Sequence, residues 1–170
     1  MSFLVWLEQT GLSVWIREAQ TLWAVPVILF LHTLGLGVVG GLSVALNLWI
    51  LGFASRHSAT PLRSLFPFIW VGFAINLLSG VLLLVAYPTK ALTDPVFYLK
   101  IALIVAALFH LEWLRRSVLA GLGYGQSLEV GGGIRAFSVA SILLWAGAVL
   151  TGRLLAYTYN YMTAAALLAG

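Results

Sequence analysis

The sequence predicts an all-α integral membrane protein, a four-transmembrane-helix bundle preceded by an N-terminal amphipathic interfacial helix. Three observations predict it. Of 170 residues, 62% are apolar and only 8% charged, against roughly 25% charged in soluble domains. A soluble fold could not cover its surface with so few ionisable groups, whereas a bilayer removes that need. The apolar residues also fall into four runs, each long enough for the roughly 20 residues that a span requires. Finally, arginines gather in two of the connections between those runs, as membrane orientation demands.

The N-terminal stretch MSFLVWLEQTGLSVWIREAQ has no basic start, carries Glu8 in its apolar part and offers no small-residue cleavage site, so it does not read as a signal peptide. Phe3, Leu4, Trp6, Leu7, Val14 and Trp15 alternate with Glu8, Arg17 and Glu18, the pattern of a segment lying in the interface. Residues 1–20 are therefore assigned to it, 21–162 to the bundle and 163–170 to a small apolar tail.

The first span is expected from about Leu22 to Phe53, with Pro26 near its start, where a missing N–H costs least. Its length implies tilt or projection beyond the bilayer. The second is expected from Phe66 to Tyr87, between the loops ASRHSATPLRS and YPTKALTDP. The third runs from about Val96 to Leu114 and stops at Arg115-Arg116; the glycine-rich loop LAGLGYGQSLEVGGGIR follows. The fourth runs from Ala136 to about Tyr159. Trp23, Trp49, Trp70 and Trp113 sit near span ends, as amphipathic rings prefer.

Arg56, Arg63, Arg115, Arg116 and Arg135 share one side of this topology, and Arg17 and Lys90 the other, with Lys100 and Arg153 just inside spans at that end. The positive-inside rule then places both termini on the outer, periplasmic side of a bacterial inner membrane. The chain has no cysteine, which removes disulfides, thiolate metal sites, iron–sulfur clusters and c-type haem attachment. The high pI of about 9.8 does not indicate nucleic acid, because the basic residues are scattered over loop ends.

Ionisable residues at membrane depth mark candidate function. Here they are His32, Lys100, His110, Glu112 and Arg153. Counted from the same side, His32 lies roughly 15 Å and His110 roughly 21 Å into their spans, close enough to expect them to face each other. Two neutral imidazoles in a cysteine-free apolar bundle make an axial pair for haem b, held from the first and third spans. The flat porphyrin needs bare backbone beside its ligands, and Gly35 is expected on the same helix face as His32. Gly37-x-x-x-Gly41 would permit close helix packing. Lys100 and Arg153 would pair with haem propionates, or else act as snorkelling anchors. A membrane histidine can instead simply bond a neighbouring carbonyl. His57 reads as a solvated loop residue, Glu112 as an interfacial ion-pair partner of Arg115 and Arg116, and Asn47, Asn76 and Ser79 as interhelical hydrogen-bond formers.

The segments WIREAQTLWAVP, LHTLGLGVVGGLSVALNLWILG and PVFYLKIALIVAALFH resemble a widespread family of small bacterial membrane proteins of uncharacterised activity. The likeness covers most of the chain. That family is similar to the copper resistance protein D membrane domain and to the bacterial membrane-bound protoporphyrinogen oxidase. The oxidase resemblance implies haem b, with its motif mapping onto His32 and Lys100. Copper handling finds little support, since the methionines are Met1 and Met162 alone and no cysteine is present to hold Cu(I).

Together these readings give a b-type cytochrome-like subunit of the inner membrane. One iron would be bound through His32 and His110, for electron transport to or from a periplasmic redox protein, quinone or a larger membrane complex. The alternatives are a protoporphyrinogen oxidase-like enzyme in which Lys100 assists substrate carboxylates, and a cofactor-free accessory subunit. Four spans are few for a stand-alone transporter.

Overall fold

The computed structural model describes residues 2–18, 24–53, 60–122 and 132–169. Seven helices occur there: α1 Ser2–Glu8, α2 Gly11–Glu18, α3 Val25–Leu51, α4 Thr60–Ala86, α5 Pro88–Leu92, α6 Pro95–Leu122 and α7 Gly132–Ala169. Among the described residues four stretches are long and apolar enough to cross a membrane: Val25–Leu51, Ser64–Ala86, Pro95–Ser117 and Gly132–Leu155. The protein is therefore a four-span, multi-pass α-helical membrane protein.

The helix boundaries follow from local chemistry. Proline stands in the first turn of α3 and opens α5 and α6, where its missing N–H has no helical partner to lose. The Asp94 carboxylate accepts the Val96 N–H at 2.8 Å and so caps α6. Helix α3 ends at Gly52, whose φ of 95° is accessible to glycine without strain. Gly52 N–H bonds the Trp49 carbonyl and Phe53 N–H the Leu48 carbonyl, the Schellman pattern. Pro67 sits inside α4 and removes one ladder bond there.

Three expectations need adjustment. The interfacial segment is two short helices rather than one, because α1 and α2 are separated at Gln9 and Thr10. The connection YPTKALTDP contains α5. Helices α6 and α7 continue past the expected span ends: α6 passes Arg115 and Arg116, and α7 takes in the stretch read as a separate tail. Leu22, His57, Arg56 and most of the glycine-rich loop lie outside the described residues.

Packing is unequal around the bundle. Helices α3 and α4 share the largest interface, α6 and α7 the next, and α3 and α7 join the two pairs. The α3–α4 approach is close because glycines face backbone. A Cβ at Gly35 would lie 2.6 Å from Asn76 N, and one at Gly72 would lie 2.7 Å from the Val38 side chain.

Two apolar clusters sit at different levels. The larger contains Val39, Leu46, Ile50, Phe66, Ile69, Ala107, Leu111, Leu114 and Trp145, drawn from all four spans. The smaller contains Ile16, Ile28 and Ala86, packed with Val25, Leu82 and Leu83. It fastens α2 to α3 and α4 at the opposite end of the bundle, here termed the capped end. No residue of 29–35 in α3, 95–106 in α6 or 146–155 in α7 joins either cluster.

Hydrogen bonds complete the cap. Helix termini leave carbonyls without partners. The Ala86 carbonyl at the end of α4 accepts from Arg17 Nη1 at 3.1 Å and from Ser13 Oγ at 3.4 Å. Arg17 also donates to the Glu8 carbonyl, and the Glu8 carboxylate accepts the Thr89 N–H of α5. The outer rings of Phe3, Trp6 and Trp15 remain exposed, as suits an interfacial segment.

Candidate functional site

The candidate site lies in the zone between the two apolar clusters. His32 projects from α3 toward α4 and α6. Its Nδ1 lies 3.1 Å from the Asn76 carbonyl and 3.2 Å from Ser79 Oγ. The Ser79 hydroxyl donates to the Ile75 carbonyl at 2.6 Å, so its oxygen is left to accept. Both neighbours of Nδ1 thus act as acceptors, which assigns the proton to Nδ1 and leaves Nε2 as the basic nitrogen. The Asn76 amide nitrogen also lies 3.4 Å from Nδ1, but its hydrogen bond goes to the His32 carbonyl at 2.8 Å. Residues 32 and 76 are therefore tied twice, once through each side chain to the other's backbone.

The sequence makes this possible through glycine. A Cβ at Gly80 would lie 3.1 Å from His32 Cε1, so the ring fills the space that a side chain would occupy. Gly80 is one helical turn beyond Asn76 and leaves the Asn76 carbonyl open to the imidazole. Nothing in apolar periodicity signals this role. Asn76 and Ser79 are recognisable in the sequence only as interhelical hydrogen-bond formers, and Gly80 and Gly152 carry no local signal of a site.

Across the bundle, Lys100 Nζ lies 3.4 Å from His32 Nε2 and can donate to it. Lys100 is thus turned inward rather than along its helix toward the interface. A Cβ at Gly152 would lie 3.7 Å from Lys100 Cε and 3.8 Å from Nζ, so α7 passes directly behind the amine. Arg153 follows at the same level, with its side chain exposed.

His110 is elsewhere. Its Nδ1 bonds the Ala106 carbonyl of its own helix at 3.0 Å, and its ring lies 4.0 Å from that of Phe137. Phe137 in turn packs against Trp113, 4.2 Å between centroids. Helix register explains the separation. Lys100 faces Gly152, Leu103 faces Gly147 and His110 faces Phe137, so α6 and α7 run antiparallel with His110 toward the uncapped end. His32 lies about seven residues inside α3, roughly 10 Å at the helical rise, whereas His110 lies about fifteen residues inside α6, roughly 22 Å from the same end. The partner that the fold brings to His32 Nε2 is Lys100, and the contacts of His110 are to its own helix and to Phe137.

Gly35 is also reassigned. It meets the Asn76 backbone rather than open space, and serves helix contact. Gly37 and Gly41 line a shallow apolar groove of about 760 Å³ with Phe30, Leu34, Leu65 and Phe68, on another face of α3. Glu112 forms ion pairs with Arg115 at 2.6 Å and Arg116 at 2.8 Å. Asn47 donates to Ser141 Oγ of α7 at 3.2 Å. Among the described residues no three of His, Asp and Glu converge on one point, so the multi-carboxylate metal site of a hydrolase is not formed by them.

Compared with known proteins, the chain matches no family model, no curated protein and no solved structure.

Proposed function

We propose that the chain is a membrane-embedded, b-type cytochrome-like subunit of a bacterial inner membrane that holds one haem b through His32 and transfers electrons. The observation that carries this reading is the state of His32. Its Nδ1 is engaged by Asn76 and Ser79, and its Nε2 is presented to the bundle interior as an oriented, basic nitrogen. That is the arrangement by which proteins prepare an imidazole to ligate a metal. A porphyrin supplies the remaining in-plane ligands, so one or two protein groups suffice.

The described residues of α3, α6 and α7 at this level belong to neither apolar cluster. The space beside Gly80 is taken by the His32 ring and that beside Gly152 by Lys100, so a haem at Nε2 would have to displace the Lys100 amine. When bound, haem would supply one-electron chemistry. His32 would hold the iron, Asn76 and Ser79 would fix the ring, and Lys100 with Arg153 would offer cations to the propionates. Both termini are assigned to the periplasmic side, which puts the site nearer that face and its redox partner there or in the quinone pool.

A second reading, a protoporphyrinogen oxidase-like enzyme, draws on the same contact: the two residues onto which that resemblance maps, His32 and Lys100, stand 3.4 Å apart. The test common to both is spectral. Protein purified in mild detergent from haem-replete cells should show a Soret band that sharpens on dithionite reduction; no band would sink both. Porphyrin oxidation by the purified protein, lost in Lys100→Ala, would select the enzyme.

A further inference from the structure

We infer that the His32–Lys100 site is a one-sided vestibule: it exchanges with the aqueous phase at the end capped by α1, α2 and α5, and is sealed from the other. The inference goes beyond the identity of any ligand and would stand if the site held something other than haem.

The seal is the larger apolar cluster. Its nine buried members come from α3, α4, α6 and α7 and pack together over residues 39–50, 66–69, 107–114 and 145. The buried polar side chains of that half include Ser43, Asn47 and Ser141, which bond within the bundle, and its charged Glu112, Arg115 and Arg116 pair with one another at its end. The vestibule is the zone where the cluster stops. There α3 and α4 face α6 and α7 across polar and small groups: His32, Asn76, Ser79, Gly80, Lys100 and Gly152.

Two basic side chains meet in this zone, and among the described residues no carboxylate pairs with either. Amines and imidazoles placed so in hydrocarbon are costly unless water or a ligand reaches them. Water from the far side would have to cross the sealed half. From the capped end, Lys100 lies only about five residues into α6, roughly 8 Å of helical rise. The apolar cluster at that end joins α2 to α3 and α4 and takes no member from α6 or α7; polar contacts, Arg17 and Ser13 on the Ala86 carbonyl and Glu8 on Thr89 N–H, complete the cap. Helices α1 and α2 therefore form the rim of the entrance, and solute bound for His32 passes beside them.

The absence of cysteine makes the test clean, since every introduced thiol is the only one. Four single-cysteine variants suffice: Gly11→Cys on α2, Ser79→Cys and Gly152→Cys in the vestibule, and Ser141→Cys in the sealed half. None removes His32 or Lys100, and Ser79 and Ser141 are replaced by near-isosteres. Right-side-out and inverted membrane vesicles are treated with a small, charged, membrane-impermeant thiosulfonate. Gly11→Cys reports which vesicle population exposes the capped end. Ser79→Cys and Gly152→Cys should react in that same population and at least an order of magnitude more slowly in the other, with Ser141→Cys slow in both. Reaction of the vestibule thiols from the opposite face, from both faces equally or from neither overturns the inference. So does a Ser141→Cys as reactive as they are. Because no spectrum enters this readout, one-sided labelling of a protein without a Soret band would retain the vestibule and discard haem.

Discussion

His32 and Asn76 are joined by a reciprocal pair of hydrogen bonds, the imidazole Nδ1–H donating to the Asn76 carbonyl and the Asn76 amide donating to the His32 carbonyl. One residue thus fixes both the ring and the helix that carries it. Asn76→Leu removes the amide bond and crowds the ring but leaves the backbone carbonyl in place. Interhelical hydrogen bonds in membranes contribute about 0.6 kcal/mol on average and up to about 1.7. The expected loss is of that order, read as a lower melting temperature in detergent. If haem is present, its absorption bands should broaden or shift in Asn76→Leu while haem content falls.

Gly35 and Gly37 form a matched pair of tests two residues apart. A Cβ at Gly35 would meet Asn76 N at 2.6 Å and the Gly72 carbonyl at 2.8 Å, both backbone atoms that cannot swing aside. Gly35→Ala should therefore push α3 and α4 apart and destabilise the protein by about 1–3 kcal/mol, the usual cost of overpacking. A Cβ at Gly37 meets nothing within 4 Å. Gly37→Ala should be neutral or stabilise by up to about 1 kcal/mol through helix propensity. Equal effects of the two substitutions on thermal stability would contradict the α3–α4 register.

This pair shows what the sequence disclosed and what it withheld. Span number and the interfacial start were legible because composition and run length act locally. Close helix contact is expected at Gly37-x-x-x-Gly41, where an added Cβ meets nothing within 4 Å, whereas the close contact is made by Gly35 and Gly72. Which glycines face a neighbour depends on the rotation of each helix, and in hydrocarbon both faces of a helix are apolar, so periodicity carries little information. Depth was legible only to within the uncertainty of the helix starts. The first span starts at Val25, three residues later than expected, which moves His32 toward the level of Lys100 and away from that of His110. The short helix α5 was hidden by Pro88 and Pro95, which punctuate the connection and open helices in equal measure.

Gly80 and Gly152 separate an effect on the site from an effect on the fold. Gly80→Ala places a methyl 3.1 Å from His32 Cε1, so the ring must yield by a few tenths of an ångström. Gly152→Ala adds a methyl at ordinary contact distance from Lys100, 3.7 Å or more. Gly80→Ala should weaken any ligand of His32 at least tenfold, about 1.4 kcal/mol, with little change in melting temperature. Gly152→Ala should leave both nearly unchanged. Titration of the apoprotein with haem, followed by absorbance, distinguishes them.

Arg17 holds the cap by donating to two carbonyls, those of Ala86 and Glu8. Arg17→Ala leaves Ala86 with the longer Ser13 contact alone. A hydrogen bond from a charged donor contributes about 1.5–3 kcal/mol, so α1 and α2 should loosen well before the spans do. Limited proteolysis of reconstituted protein should cut faster between α2 and α3 in Arg17→Ala than in the wild type. An unchanged cutting rate would mean that Ile16 and its apolar neighbours hold the cap unaided.

The two membrane histidines should behave differently on removal. His32 makes polar contacts to α4 and α6, whereas His110 bonds its own helix and rests on Phe137. His32→Ala takes away the oriented Nε2 and should abolish haem binding. It also takes the imidazole from Lys100, Asn76 and Ser79, so stability should fall as well, and His32→Gln serves as the milder control. His110→Ala should remove a ring contact, about 0.5–1.5 kcal/mol, and a bond within its own helix, with haem content and spectrum retained. Loss of the spectrum in His110→Ala with the protein still folded would restore the bis-histidine arrangement, and would require α3 and α6 to shift along the membrane normal by about two helical turns. The antiparallel contacts of α7 with both helices, Trp145 against Gly40 and Gly147 against Leu103, oppose such a shift. The histidine pair is therefore the sharpest available test of the register on which the proposed site depends.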